Sequence, residues 1–161
     1  MTTNFQLAKQ VADHVQLLSV TLNKANVDAK FDPTEPPNEI GLSQSYRAIV
    51  VEPDLGEKVN KFSVVVDFKF FATSPIAHSE HESSEGDLAT LDAAFLLVYE
   101  VPGDLEVEER CFKHFAEVNG PYNAWPYWRE LVQSVTGRIG LAGITVPVFH
   151  PRPSEIQEDD D

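Results

Sequence analysis

One polar stretch of this sequence gathers side chains that could ligate a metal. His78 and His81 lie three residues apart, with Glu80 and Glu82 beside them. Imidazole and carboxylate ligands at this spacing can hold a transition metal that activates water for hydrolysis. The surrounding residues 73–87 are Ser-rich and acidic, which is typical of an exposed loop, whereas catalytic metal sites stand on rigid elements. We therefore predict no metal site, and keep a metal-dependent hydrolase as the opposing hypothesis.

A thiol and an imidazole form the second candidate for chemistry. Cys111 and His114 are three residues apart, and a neutral imidazole could accept the thiol proton to make a nucleophile. Cys111 stands in an apolar helical stripe, however, where a buried and inert cysteine is usual. The sequence has no Gly-rich phosphate loop, Gly-x-Ser-x-Gly elbow or His-Glu-x-x-His helix. We predict no catalytic residues, no cofactor and no enzyme activity.

Charge limits the partners that this chain can bind. Its 161 residues carry 12 Lys and Arg against 26 Asp and Glu, a formal net charge of -14. This balance disfavours nucleic acid and anionic membrane surfaces, which are bound by basic residues. We expect no membrane insertion, because no segment approaches the roughly 20 apolar residues that span a bilayer. The single Cys111 cannot form an intramolecular disulfide, so we expect a reducing, cytoplasmic setting.

Periodicity predicts the elements that would position these side chains. A short amphipathic helix is expected from Asn4 to about Asp13. A proline-rich connection at 31–42 then interrupts the strands. Apolar and polar residues alternate in four predicted strands, at 15–22, 46–52, 62–70 and 91–101.

Helical spacing returns after the last strand. It predicts a helix from Leu105 with Asp104 as its N-cap, broken at Gly120-Pro121, and another from Pro126 that closes at Gly137 or Gly140. This order predicts an α+β fold, a four-stranded antiparallel sheet with helices packed on one face. We expect one domain over residues 1–153 and an acidic disordered tail over 154–161.

The second face of the predicted sheet carries more apolar residues than one helical layer can cover. Such a surplus indicates contact between subunits. The candidates for this oligomer interface are Val65, Phe71, Leu96 and Val98.

The run from Pro126 to Val148 resembles the signature of the SecB family of export chaperones. That family has a Pro-Tyr-x-Arg-Glu helix, an Arg-x-Gly turn and an apolar segment ending in Pro-Val. Pro126, Tyr127, Arg129, Glu130, Arg138 and Gly140 match without a gap, and Pro147-Val148 matches with a shift of about one residue. The resemblance implies a homo-tetramer built as a dimer of dimers. It also implies ATP-independent holding of unfolded preproteins for export, and delivery to the SecA translocase motor.

Departures from the family pattern keep a second function open. Ala142-Gly143 stand where the family has Pro-Pro, and HPRPSEIQEDDD replaces its C-terminal helix and zinc-binding tail. The extra N-terminal helix, the short C-terminus and the Tyr-Trp-Arg-Glu-Leu-Val…Thr-Gly-Arg helix look closer to the SecB-like chaperones that protect antitoxins in toxin-antitoxin systems. The alternative function is therefore a chaperone dedicated to one antitoxin.

Apolar side chains of the connection and of the last helix are candidates for binding such clients. The connection must run over the surface, so its apolar residues need a neighbour. A helix that begins with two Trp residues can supply one, although an aromatic cluster of this kind also serves as core. The predicted client-binding residues are Phe31, Ile40, Leu42, Trp125, Trp128 and Phe149.

Overall fold

The computed structural model describes residues 2–51, 61–74, 87–141 and 144–149. Their elements are α1 (Asn4–Ala12), β1 (Gln16–Ala29), β2 (Gly41–Val51), β3 (Lys61–Thr73), β4 (Asp87–Glu100) and α2 (Glu109–Ile139). The predicted α+β fold, a four-stranded antiparallel sheet with helices on one face, is confirmed. The candidate metal stretch around His78 and His81 and the predicted tail at 154–161 lie outside the described residues.

The sheet has the strand order β1-β4-β3-β2, so β3 and β4 form its centre. One face of these two strands is buried beneath α2, and we call it the helix-side face. The opposite face of the sheet is called the open face. The alternation that predicted β3 and β4 is confirmed by the buried residues, which are Phe62, Val64, Val66, Phe68, Phe70, Leu91, Ala93, Phe95, Leu97 and Tyr99.

Both edge strands are longer than their sequence pattern predicted. Strand β1 continues to Ala29, and β2 begins at Gly41 rather than at Tyr46. Register shifts at Leu17/Ser19 and Leu22/Lys24 interrupt the alternation of side chains between the two faces of β1. The sequence pattern therefore does not reveal the second half of this strand. Backbone pairing with the central strands continues regardless of side-chain pattern. Leu42, which was predicted to lie in the connection, therefore lies in β2.

Helix α2 corrects the prediction of two separate helices. It runs unbroken through Pro121 and Pro126. Each proline removes one backbone hydrogen bond to the residue four positions earlier, which destabilises an isolated helix. Here Gly120 and Ala124 are buried against the sheet, and a Cβ atom added to Gly120 would lie only 3.0 Å from Val64 Cγ1. Close packing on the sheet thus overrides the local breaking signal.

The helix ends partly follow the sequence signals. Thr3 and Gln6 form a reciprocal capping box at the start of α1. Helix α2 is preceded by Glu108, so the prediction of Asp104 as its N-cap is wrong. Gly140 ends α2 in the left-handed conformation at φ 93°, as one of the two predicted glycines. Among the described residues, no helix is long and apolar enough to cross a membrane.

Candidate functional site

An aromatic cavity of about 450 Å³ opens on the helix-side face at the β2 edge of the sheet. The ring of Trp125 lies 6.2 Å from that of Tyr46 and 5.0 Å from that of Phe149, so α2, β2 and residues 144–149 each contribute one wall. Tyr122 adds a ring 6.2 Å from Phe149. Cavities of roughly 300–1,000 Å³ with mainly apolar walls are typical of ligand sites. This cavity is therefore the leading candidate for binding.

A smaller cavity of about 200 Å³ continues from the aromatic cavity along β2. It is lined by Leu42 and Phe70 and by part of residues 144–149, and Gln44 and Pro147 line both cavities. We call the two cavities together the edge groove. Leu42 and Tyr46 are four residues apart on one strand, so the groove follows β2 for about 13 Å, or about four residues of extended chain.

The groove is open because β2 is an edge strand that pairs with β3 alone in the described sheet. Leu42 is 50% exposed and Tyr46 is 38% exposed, although both lie on the helix-side face. Covering apolar side chains that are exposed to water beside a cavity lowers the free energy and so favours binding of a partner. The groove is thus suited to binding apolar side chains.

Residues 144–149, which form the outer wall of the groove, are held to α2 by hydrogen bonds from two side chains of that helix. Arg129 Nε donates to the carbonyl oxygen of Val146 at 2.8 Å, and Trp125 Nε1 donates to that of Pro147 at 2.9 Å. Ile144 and Val146 are buried beneath this wall. The helix motif and the apolar segment that ends in Pro-Val therefore meet, because Arg129 of the motif holds the backbone of that segment.

Of the residues predicted to bind clients, Leu42, Trp125 and Phe149 line the edge groove. Trp128 is fully buried and stacks on Phe68, with ring centroids 4.8 Å apart. Its Nε1 donates to Gln44 Oε1 at 3.0 Å, so Trp128 orients a residue of the groove from the core side.

Phe31 and Ile40 are half-buried and pack against the core, away from the lining of both cavities. Phe31 lies at the end of α2, 3.9 Å from where a Cβ of Gly140 would stand. The turn beyond it is fixed by Asp32, which accepts hydrogen bonds from the hydroxyl and the amide of Thr34. These two bonds, the hydroxyl's above all, hold the pKa of that carboxyl below its usual value.

Tyr46 is the main groove residue that sequence reasoning missed. It was placed in a strand, but its partner across the sheet and its side of the sheet were unknown. With β2 beginning at Gly41, the spacing Leu42, Gln44, Tyr46 puts all three side chains on one face. That alternation was the available signal.

The four predicted interface residues all lie half-buried on the open face. Val65 stands directly opposite Leu96, and Val98 is the next residue of β4 on that face. Ile49 pairs with Val65 from the other side and is 45% exposed, which extends the apolar patch. Phe71 lies further along β3, beyond the exposed ion pair in which Arg47 Nη2 is 3.4 Å from Asp67 Oδ2, and is not part of this patch.

The remaining candidates for chemistry stay apart. Cys111 is buried, with its Sγ 3.8 Å from Gln10 Oε1 of α1. His114 Nδ1 lies 3.2 Å from Glu117 Oε2 on its own helix. Within residues 2–51, 61–74, 87–141 and 144–149, no three ligating side chains come together as a metal site would require.

The open four-stranded antiparallel sheet with a helical layer on one face is a SecB-like fold. A solved SecB-like chaperone of Mycobacterium tuberculosis, Rv1957, in complex with a ChAD peptide from the HigA1 antitoxin, superposes with a TM-score of 0.74. The two sequences are 18% identical, and the match covers 91% of this chain and 98% of that one.

Other comparisons add little. A protein of unknown function from Streptococcus agalactiae gives a TM-score of 0.44 at 15% identity, over 84% of this chain and 97% of its own, which is too weak to carry an argument. No protein-family model and no curated protein sequence matches the chain.

Proposed function

We propose that this protein is an ATP-independent molecular chaperone, without catalytic activity of its own, that holds unfolded or incompletely folded polypeptides. The observation that carries the proposal is the edge groove, whose exposed apolar walls run beside an edge strand for the length of a short extended segment. An unfolded chain offers the matching apolar side chains. The SecB-like fold, shared with a chaperone solved in complex with a peptide, supports the same function.

The mode of binding follows from the groove's composition. Its walls read hydrophobicity and approximate size, so many sequences can be accepted. Because apolar contact dominates, client affinity should persist at moderate salt, where exposed charges are screened beyond about 8 Å. The acidic surface would add only a salt-sensitive preference for basic clients.

Two matched leucines test the site. Leu42 is 50% exposed in β2 and lines the groove, whereas Leu22 is 48% exposed in β1, at the opposite edge of the sheet. Fully burying a leucine gains about 1.5–3 kcal/mol, so covering the exposed half gains about 1 kcal/mol. We expect Leu42→Ser to weaken client binding about fivefold and Leu22→Ser to leave it unchanged.

The measurement is suppression of aggregation when a chemically unfolded, slowly refolding client is diluted into nucleotide-free buffer with each variant. Thermal unfolding of the variants alone separates lost binding from lost stability. A wild-type protein that fails to suppress aggregation would refute the proposed function. Equal losses in both leucine variants would move the site away from the edge groove.

A dedicated antitoxin chaperone is the second candidate function. The observation that favours it is the antitoxin peptide bound to the Mycobacterium tuberculosis protein. General export would require the protein to deliver preproteins to SecA in the cytoplasm. The two are separated by expressing the protein with the products of its neighbouring genes. A toxin-antitoxin pair beside the gene, whose antitoxin is degraded without this protein, would select the dedicated function.

We further propose that the protein assembles as a homo-tetramer, a dimer of dimers, with the apolar patch of the open face between subunits. The support is the cluster of Val65, Leu96, Val98 and Ile49 on the face of the sheet opposite α2. Val65→Glu would bury an unpaired charge in that contact and should weaken assembly. Light scattering that finds a wild-type monomer at micromolar concentration would remove the tetramer. A variant that remains tetrameric would exclude this patch.

A further inference from the structure

The aromatic cavity already holds an aromatic side chain, and that side chain belongs to the protein itself. Phe149 lies 5.0 Å from Trp125, 5.8 Å from Tyr46 and 6.2 Å from Tyr122, measured between ring centroids. It is contributed by residues 144–149, which belong to no helix or strand. A segment without secondary structure that places an apolar ring in a groove resembles an unfolded client bound there.

The attachment of this segment changes abruptly at Pro147. Up to that residue it is held by hydrogen bonds from Arg129 and Trp125, and Ile144 and Val146 are buried. Beyond it, Val148 is 62% exposed and Phe149 is half-buried. Among the hydrogen bonds of the described residues, none reaches Val148 or Phe149. The ring is thus held by aromatic packing, while the chain behind it is anchored.

We propose that Phe149 is an internal ligand of the aromatic cavity and exchanges with an aromatic side chain of an incoming client. This inference rests on the proposed function and deepens it. Rotation about the backbone beyond Pro147 frees Phe149 while the anchored residues stay in place. A client ring then makes the contacts that Phe149 gives up with Tyr46 and Trp125. The cavity therefore selects clients that carry aromatic residues, because aliphatic ones do not replace the lost ring contacts equally well.

The two possible roles of Phe149, competitor of the client or wall of its site, predict opposite changes in client affinity when the ring is removed. If Phe149 competes, only the open fraction of molecules binds, and the apparent Kd is the intrinsic Kd divided by that fraction. Phe149→Ala removes the competitor, so we expect binding to tighten by a factor equal to the inverse of the open fraction. If Phe149 is instead a wall of the client site, the same variant must weaken binding. Phe5→Ala is the matched control, since Phe5 is a 67% exposed phenylalanine of α1.

The probe is a short, labelled peptide without secondary structure that carries two Phe residues, with a twin that has Ala at both. Its Kd is measured by fluorescence anisotropy for wild type, Phe149→Ala and Phe5→Ala. Tighter binding of the Phe peptide by Phe149→Ala alone, with the Ala twin binding more weakly to every form, supports the exchange. Unchanged or weaker binding by Phe149→Ala overturns it.

Tryptophan emission provides a readout that needs no client. Trp125 contacts Phe149, whereas Trp128 is fully buried and gives a constant background. Phe149→Ala should shift the emission to longer wavelength, and the Phe peptide should reverse the shift. An unshifted spectrum would show that Phe149 does not occupy the cavity and would overturn the inference. If neither wild type nor Phe149→Ala binds unfolded chains but the spectrum shifts, the proposed function is refuted, whereas the position of Phe149 in the aromatic cavity is supported.

Discussion

Gly120 provides a test of how closely α2 packs on the sheet. Replacing a helical glycine with alanine normally stabilises a helix interior by about 1 kcal/mol. At this position, however, the new Cβ atom would lie 3.0 Å from Val64 Cγ1 and 3.3 Å from Val66 Cγ2. Both valines are fully buried and β-branched, so neither can rotate away. Overpacking a core costs about 1–3 kcal/mol.

The two effects oppose each other, and we expect the overpacking to win at Gly120. The free energy of unfolding should then fall by about 1 kcal/mol in Gly120→Ala, the difference between the two effects. Gly137 is the internal control, because it lies in the same helix and a Cβ atom there meets nothing within 4 Å. Gly137→Ala should stabilise by about 0.5–1 kcal/mol.

Urea denaturation of the three proteins at one protein concentration measures both changes, since an assembled protein unfolds in a concentration-dependent way. A cycle with Val64→Ala sharpens the test, because removing the crowded methyl groups should make Gly120→Ala less costly. If Gly120→Ala instead stabilises the protein as much as Gly137→Ala does, the helix does not pack this closely. Close packing on the sheet would then not explain why α2 continues through Pro121 and Pro126.

Three further predictions concern titration, anchoring and metal. Burial raises the pKa of Tyr99 to about 12 despite its hydrogen bond from Asn123, whereas the side chain ionises near 10.0 in the unfolded chain. Between pH 10 and 12 only the unfolded form loses its proton, so the free energy of unfolding should fall by about 1.4 kcal/mol per pH unit in that range. Tyr99→Phe should flatten that part of the loss in denaturation measured at several alkaline pH values, and an unchanged slope would contradict the assignment. Arg129→Ala removes a charged hydrogen bond to residues 144–149 and should lower the free energy of unfolding, measured in urea, by about 1.5 kcal/mol. A variant as stable as the wild type would refute this prediction. Elemental analysis of untagged protein should find no stoichiometric zinc or manganese; metal that disappears in His78→Ala/His81→Ala together with a hydrolytic activity would favour the enzyme hypothesis.

The central strands could be predicted from the sequence because their residues obey one local rule. Every second side chain of β3 and β4 is apolar and buried, so period-two alternation located both strands. Helix α2 could not be predicted in the same way. Gly120-Pro121 breaks a helix when read locally, and only the contact with Val64 shows that glycine is needed there for close packing.

The edge groove was predictable only in part, because it is assembled from distant positions. Trp125 and Phe149 were identified by their size and apolar character. Whether an aromatic residue lines a surface or fills the core depends on a turn of about 100° per residue along the helix, and the start of α2 was not located correctly. Both tryptophans are buried, but Trp125 also lines the groove, whereas Trp128 does not.

The strand order also determines the sequence of events while the chain is being made. Strand β1 is synthesised early, yet it pairs with β4, and Thr21 contacts the backbone of Leu96 across 75 residues. At translation speeds of 5–20 residues per second, β1 waits roughly 4–15 s for its partner. The backbone N–H and C=O groups of β1 that pair with β4 have no strand partner during that interval. The β3–β4 and β2–β3 pairs close over shorter separations, so we expect them to fold first and β1 to dock last.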